Sequence, residues 1–388
     1  MIYVDGRQQL RILLIGNYPP DRQYSMQGFT NALLTGLRAQ GQEVKVLSPG
    51  VHLQRIGSPT RGIGKWLGYA DKYLLFPPEM RRACRWADVV HVCDQGNGIY
   101  LRFLQDFRHL VTCHDLLAMR AALGEIPGWT TGRGGRVYQS LILQGLKRAS
   151  YVVCDSEATE RDALRLTKLA PDRMSQIYVS LLQPYRPMPE TEAVVHLEAL
   201  ALPSGGFLFH IGGNQPYKNR LMVLQIYQAF RQKTGGMGYK LVLAGRKITE
   251  EMSTYIAQEG LADHVLERND VTEEQLCAMY SRAEALIFPS LYEGFGLPII
   301  EAQASGCPVF TSNRPPMTEV GGNGAAYFDP TDPAEAAQVV AEGLADRTRM
   351  IEAGYSNVRR FAPDIMLDKY LEIYRHIAGR SPTHAGEG

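Results

Sequence analysis

Two glutamates with seven residues between them, a lysine between a strand and a helix, and a histidine at a strand end could share one reaction in this 388-residue chain. The glutamates stand in Glu293-Gly-Phe-Gly-Leu-Pro-Ile-Ile-Glu301, after the apolar run Ala285-Leu-Ile-Phe288 and the bend Pro289-Ser290. That order predicts a buried strand, a glycine-rich turn and a helix. Pro298 suits the first helical position, where its missing N–H costs nothing. Gly294 and Gly296, on either side of Phe295, let backbone approach a ligand without a Cβ in the way. The unpaired N–H groups of the first turn, at Gly296 and Leu297, then suit an anionic oxygen. Glu293 lies before the helix and Glu301 one turn inside it, and each carboxylate can accept two hydroxyl hydrogen bonds. A helix N-terminus for phosphate, flanked by carboxylates for diols, describes a sugar-nucleotide site. A plain strand–loop–helix connection with two solvated glutamates also fits this stretch taken alone.

The lysine and histidine occupy comparable places. Gly206-Phe-Leu-Phe-His-Ile-Gly-Gly213 reads as a strand running into Asn214-Gln-Pro-Tyr-Lys218-Asn219, with a helix over Arg220–Gln232. Leu241-Val-Leu-Ala244 is a further strand, ending at Gly245-Arg246. Leu110-Val-Thr-Cys-His114-Asp115 is a strand ending in His-Asp. Ligands of parallel sheets bind at the carboxyl ends of the strands, which puts His114, Lys218 and Arg246 at candidate positions. The bland alternatives are a structural histidine and solvated cations. Asp115 reads as a loop-shaping or histidine-orienting residue.

The elements that must hold these residues alternate strand and helix along the chain. Arg11-Ile-Leu-Leu-Ile-Gly16, Glu43–Leu47 and Asp88–Val92 are parallel-strand candidates, with a helix from Met26 to Gln40. The segment 63–85 predicts helical pieces interrupted by Pro77-Pro78, carrying Trp66, Tyr69, Tyr73 and Phe76. Those aromatics suit core packing or an acceptor-facing or membrane-touching surface. Gly124 to Gly135 reads as a flexible loop, followed by a helix through Arg148 and the strand Tyr151–Cys154. Asp155-Ser156 is set to cap the next helix. Prolines at 184, 187 and 189 mark a domain boundary. Beyond it, Val265–Asn269 is a strand leading to Asp270-Val271, and Thr272 with Gln275 forms a capping box. The fold class is therefore α/β, with two Rossmann-like domains, 1–185 and 186–363. A closing helix spans 364–379, and 380–388 is expected to be a disordered tail.

The Glu293–Glu301 stretch closely resembles the E-x7-E signature of retaining, nucleotide-sugar-dependent glycosyltransferases of the family-four type, the group 1 glycosyltransferases. The match extends from Glu273-Glu-Gln-Leu-Cys-Ala-Met-Tyr-Ser-Arg-Ala-Glu284 through Glu301-Ala-Gln-Ala-Ser-Gly-Cys-Pro-Val309 to Glu319-Val-Gly-Gly322. The resemblance implies a GT-B architecture, two Rossmann-like domains facing across a cleft, 1–185 on the acceptor side and 186–363 for the nucleotide-sugar donor, with the last helix crossing back to the N-terminal domain. It implies that His114 reaches the donor sugar, that Glu293 holds sugar hydroxyls and Glu301 the ribose, and that Val271 meets the base through backbone. Gly294, Phe295, Gly296 and Leu297 would line the donor, and Lys218 would hold its diphosphate. Relatives often pair glycines near the donor phosphates where only Gly28 stands here. They also place an arginine five residues before the lysine. Gly213 holds that place in this chain, so Asn214 or Arg246 is the expected substitute. The implied reaction moves a sugar to a hydroxyl of a saccharide or lipid-linked acceptor, in surface polysaccharide or glycolipid assembly. No metal or other cofactor is expected, because no D-x-D motif stands out. The alternatives are a GT-B phosphorylase or a sugar-nucleotide epimerase, and a non-catalytic sugar-nucleotide-binding protein or pairing subunit of the same fold.

Composition agrees with a folded chain: 45% hydrophobic and 21% charged residues exclude a disordered one. No apolar run reaches the ~18–20 residues of a membrane span, and no signal peptide is visible, so the expectation is a cytoplasmic protein. The six cysteines form no C-x-x-C pair, which predicts reduced, largely buried thiols without a zinc site. Residues 1–185 carry 23 Lys and Arg against 15 Asp and Glu, although the whole chain is nearly neutral at +1. A basic half suits an anionic acceptor or peripheral contact with an anionic membrane, and equally an ordinary solvated face. Its cations are scattered and match no nucleic-acid-binding motif.

Overall fold

In the computed structural model, which describes residues 3–4, 7–54, 62–235 and 238–379, two parallel sheets of six strands each carry the fold. The first holds β1 (Arg11–Ile15), β2 (Glu43–Leu47), β3 (Val89–Val92), β4 (His109–Cys113), β5 (Val152–Cys154) and β6 (Met174–Gln176). The second holds β7 (Phe207–Gly212), β8 (Lys240–Gly245), β9 (Val265–Asn269), β10 (Ala285–Phe288), β11 (Val309–Ser312) and β12 (Ala325–Phe328). Helices cover both faces of a parallel sheet, so its central strands must be apolar on both sides. Accordingly β3, β4, β10 and β11 are buried at every residue.

Strand order decides where ligands can enter. The first sheet runs β2-β1-β3-β4-β5-β6 and the second β9-β8-β7-β10-β11-β12. In each, the chain builds outward on one side of its first strand and then on the other. The loops after β1 and β3, and after β7 and β10, therefore diverge and leave a crevice at the switch point. Internal packing divides the chain into one unit of residues 1–123, 131–182 and 363–388 and another of 124–130 and 183–362.

The helix Pro363–Gly379 belongs to the first unit, as expected of a chain that crosses back at its end. Its Tyr374 hydroxyl meets His91 Nδ1 at 2.7 Å, Tyr370 meets Thr112 Oγ1 at 2.8 Å, and all four side chains are buried. Leu367 packs against the helix Tyr24–Ala39 at Gly36, where any Cβ would lie 2.3 Å from a leucine methyl.

Several local readings change. Pro77 and Pro78 do not interrupt the 63–85 segment. A widened π-type turn, Asp71–Leu75, joins the helices Gly62–Ala70 and Phe76–Cys84, and the prolines enter the first turn of the latter, where a missing N–H is tolerated. Of its aromatics, Phe76 is buried and Trp66 is 72% exposed. The loop expected to reach Gly135 ends at Gly132. Gly134 and Gly135 open the helix Arg133–Leu146, whose buried Ile142 and Leu146 outweigh their poor propensity. Pro298 is the second, not the first, residue of the helix Leu297–Ala304. The tail expected at 380–388 lies outside the described residues. All six cysteines are free thiols, and only Cys277 is not fully buried.

Candidate active site

The loops after β7 and β10 flank the switch point of the second sheet, and they are tied together before any ligand arrives. Leu291 N–H donates to the Tyr217 carbonyl at 2.7 Å. Asn219, in the left-handed conformation with φ 54°, sends its amide Nδ2 to the carbonyls of Pro289 and Pro330. A short 3-10 turn, Pro216–Lys218, ends at that residue and aims Lys218 across the crevice. Its Nζ lies 2.8 Å from both carboxylate oxygens of Glu293, and the two side chains are 20% and 8% exposed. The pair expected to divide a donor between diphosphate and sugar thus begins as one ion pair.

Beyond Glu293, Gly296 takes φ +106° as the N-cap of the helix Leu297–Ala304, a conformation that strains any side chain. Leu297 is the first helical residue, so the unbonded first-turn N–H groups face the loop end of the sheet. Phe295 turns inward instead, packing edge-to-face on Phe361 at 5.6 Å. Glu301 is partly buried and accepts a 2.9 Å hydrogen bond from Tyr280. Burial pushes its carboxyl up to about 7, against the lowering effect of that bond and with help from nearby Glu273. A group poised there ionises readily when a diol arrives to donate to it. Val271, after the left-handed Asp270, stands at the carboxyl end of edge strand β9.

The missing cation has a physical context. A side chain at Gly213 would place its Cβ 2.3 Å from Gln215 Oε1, the end of an exposed side chain that would have to swing away. Asn214 has other duties: its Nδ2 donates to the Lys247 carbonyl at 2.7 Å, and its Oδ1 accepts from Arg220. Arg220 was not anticipated. It opens the helix Arg220–Lys233, is 5% exposed, and also donates to the Arg246 carbonyl at 2.7 Å. Its Nε and Nη2 are buried without a hydrogen-bond partner. Burial lowers its pKa while Glu267 raises it. This buried cation sews the β7 and β8 loops together and leaves the Arg246 side chain exposed at the end of β8. Gly245 at φ +95° permits the join, since a Cβ there would lie 2.4 Å from the Gly212 carbonyl. The only signal in the sequence was an arginine directly after Lys218-Asn219.

In the first unit, His114 follows β4 and is 6% exposed. Its Nδ1 meets Asp155 Oδ2 at 2.6 Å and its Nε2 meets the Cys93 carbonyl at 2.8 Å, while Phe29 packs edge-on at 4.8 Å. Burial alone would lower its pKa, but Asp155 and, further off, Asp94 raise it to about 9. The ring is then an imidazolium donating from both nitrogens. Asp155, whose own pKa burial raises, is the orienting partner that sequence reasoning assigned to capping. Ser156 alone caps the helix Glu157–Thr167, accepting from Thr159 N–H. Asp115 shapes the loop by accepting from Leu117 N–H at 2.9 Å. The missed signal was that His114 and Asp155 each follow a strand-ending cysteine, and Cys113 and Cys154 are register partners. Gly28 lies within the helix Tyr24–Ala39, where a Cβ would lie 3.4 Å from a Leu182 methyl.

Two Rossmann-like units, one with a lysine, two glutamates and a helix N-terminus at its switch point, define a glycosyltransferase class, and comparison with known families agrees. Residues 28–179 match the Glycosyltransferase Family 4 model and residues 203–357 the Glycosyl transferases group 1 model, so the chain belongs to the group 1 glycosyltransferases. It is 27% identical over 310 residues to O-antigen chain mannosyltransferase B of Escherichia coli, covering 79% of each chain. It is also 27% identical over 197 residues to O-antigen chain mannosyltransferase RfbU of Salmonella typhimurium, covering 50% of this chain and 51% of that one. Among solved structures, sucrose-phosphate synthase from Thermosynechococcus elongatus superposes with TM-score 0.73 at 18% identity, over 95% of this chain and 99% of that one. HepE of Anabaena, in complex with UDP and glucose, gives 0.70 at 15% identity, over 95% and 100%. These likenesses establish the fold as that of the GT-B glycosyltransferases.

Proposed function

We propose that this glycosyltransferase moves a hexose, with mannose the first candidate, from a nucleoside-diphosphate donor to a saccharide or lipid-linked hydroxyl in surface-polysaccharide assembly, retaining anomeric configuration. The observation that carries the donor reading is the Lys218–Glu293 pair at the switch point, beside the N-terminus of helix Leu297–Ala304. The mannosyl reading comes from the names of the two bacterial relatives. A nucleotide donor is in keeping with the UDP bound to HepE.

In this reading the bond between the anomeric carbon and the diphosphate oxygen breaks as the acceptor oxygen bonds to that carbon. The acceptor's proton passes to the departing phosphate oxygen. Charge grows on the leaving group, so fixed donors near it lower the barrier most. Lys218, the Gly296–Leu297 backbone and Arg246 supply them, with Arg220 fixing the loop that carries Arg246. Glu293 is released from Lys218 to hold sugar hydroxyls, and Glu301 takes the ribose. In the first unit, Asp155 orients the His114 ring at the carboxyl end of β4.

A thermal-shift panel of UDP-, GDP- and ADP-sugars, followed by turnover in excess EDTA, tests this. Stabilisation by one base class and undiminished turnover in EDTA are expected. Loss of activity restored by magnesium would overturn the metal-free assignment. The competing reading, binding without turnover, is motivated by Gly213 and predicts stabilisation with neither transfer nor slow donor hydrolysis.

Contact with an anionic membrane is a further part of the proposal. Exposed Trp66 packs edge-on against Tyr69, which stacks on Tyr138, and Tyr138 shares the helix Arg133–Leu146 with exposed Arg133, Arg136, Val137 and Leu141. Among the described residues no helix is long and apolar enough to cross a membrane. Co-sedimentation with phosphatidylglycerol vesicles, absent with neutral ones and lost in Trp66→Ser, is the expected result.

A further inference from the structure

Glu301 has a support of its own, built from two tyrosines and a second carboxylate to which the proposed reaction gives no part. The helix Glu273–Arg282 packs beside the helix Leu297–Ala304, and from it the Tyr280 hydroxyl donates to Glu301 Oε2 at 2.9 Å. Tyr280 is fully buried, and its ring is held edge-on by Phe209 of β7 at 5.2 Å and by Tyr185 at 5.8 Å. The Tyr185 hydroxyl in turn donates to Glu273 Oε2 at 2.7 Å. Met188 N–H donates to Ser281 Oγ at 3.0 Å, which lays the segment carrying Tyr185 along the same helix. Two tyrosine–carboxylate pairs thus stand side by side, one with exposed Glu273 and one with half-buried Glu301.

The arrangement divides the Glu301 carboxylate into a held oxygen and an open one. Oε2 is engaged by a hydroxyl whose ring two aromatic neighbours fix in place. Among the described residues nothing donates to Oε1, and that oxygen is not sealed from solvent. A carboxylate with its plane fixed in this way suits two hydroxyls at a set spacing, as on a vicinal diol, better than a single one. Its charge is also set from two sides. The Tyr280 bond favours the ionised form, whereas burial and nearby Glu273 disfavour it. Tyr185 feels the Glu301 charge as well, and Cys307 lies near Tyr280.

We infer that Tyr280 is a positioning residue that, by holding Glu301 Oε2, fixes the carboxylate for both hydroxyls of a ribose and so makes the site prefer a ribonucleotide to its deoxy analogues. The inference rests on the reading of Glu301 as the ribose carboxylate in the proposed reaction. Tyr185 braces the Tyr280 ring and ties Glu273 to the same cluster. Glu273 is thereby a second control on Glu301, opposite in sign to Tyr280.

The test is calorimetry on the full chain with UDP and GDP and with their 2′-deoxy and 3′-deoxy analogues, across neutral pH. Wild type should bind the ribonucleotide of its preferred base about tenfold or more tightly than a deoxy analogue, the scale of one hydrogen bond to a charged group. Tyr280→Phe keeps the ring and its packing. It should cut that preference to about threefold or less by weakening ribonucleotide binding alone. It should also move the pH at which ribonucleotide affinity rises upward, since the bond favouring ionisation is gone. Glu273→Gln, at an exposed position that leaves the fold intact, should move the same rise downward. An undiminished ribose preference in Tyr280→Phe overturns the inference, as do pH shifts of the same sign in the two variants. An equal loss for ribonucleotides and deoxy analogues shows a merely structural role and overturns it too. Failure of the ribose reading itself looks different: Glu301→Ala then keeps the wild-type preference for ribose, or wild type has none to lose.

Discussion

Removing Lys218 should damage the second unit twice, once in stability and once in chemistry. Its ammonium and the Glu293 carboxylate meet at 2.8 Å with side-chain exposures of 20% and 8%. At that separation the gross attraction is about 6 kcal/mol for an effective dielectric near 20. Desolvation of both groups takes back most of it, and the net worth of the pair is small. Lys218→Ala, however, leaves Glu293 desolvated and alone, and breaking a buried pair in this way costs about 3–5 kcal/mol. Residual exposure of the lysine brings the expectation to the lower end, about 2–3 kcal/mol. Lys218→Met combined with Glu293→Gln removes both charges and should recover most of that loss. Denaturant melts of Lys218→Met, Glu293→Gln and the double variant give the coupling energy, expected at about 1–3 kcal/mol. Donor turnover should fall by about two to three orders of magnitude in Lys218→Ala, the effect of losing one charge-stabilising donor, and the double variant should not regain it. Additive single effects, or a double variant that recovers turnover along with stability, would refute the pairing and the separate role in catalysis.

Arg246→Ala should lower kcat/KM by about one to three orders of magnitude with little change in melting, since its side chain is exposed and the loss is one cation at the leaving group. Wild-type turnover in that variant, with Lys218→Ala dead, would leave the lysine as sole carrier of the diphosphate. Arg220→Ala should instead destabilise, because the Asn214 and Arg246 acceptors lose their shared donor. Glu301 ionises near pH 7, so nucleotide affinity should rise through that pH and level off above it; Glu301→Gln should flatten the profile, measured by calorimetry from pH 5.5 to 8.5. His114 has a folded-state pKa of about 9, above its unfolded value near 6.5. Its stabilisation is therefore full below about pH 6.5 and lost as pH rises through 9, by about 3 kcal/mol in all. His114→Gln should abolish that alkaline loss in denaturant melts of the chain, and a wild-type profile flat from pH 6.5 to 9.5 would remove the imidazolium from the account.

What the sequence determined by itself was everything that depends on near neighbours. Apolar runs bounded by glycine and proline placed the strands, because a strand buried on both faces admits few polar residues. The Thr272–Gln275 capping box was legible because both hydrogen bonds close within one turn. The places of Lys218 and Glu293 in the loops after β7 and β10, and of Glu301 in the helix that follows, were legible, though not the pairing of Lys218 with Glu293. Tertiary structure alone decided partnerships. Lys218 and Glu293 lie 75 residues apart and meet only because β7 and β10 are neighbours. His114 found Asp155 and not the adjacent Asp115, since a ring at the end of β4 reaches sideways to β5 more readily than along its own chain. The burial of Arg220 could not be read from its place after Lys218-Asn219, because it depends on two loops converging above it. The crevices beside β1 and β7 were not legible at all, since a switch point exists only in the assembled sheet, where strand order sets β1 beside β3 and β7 beside β10.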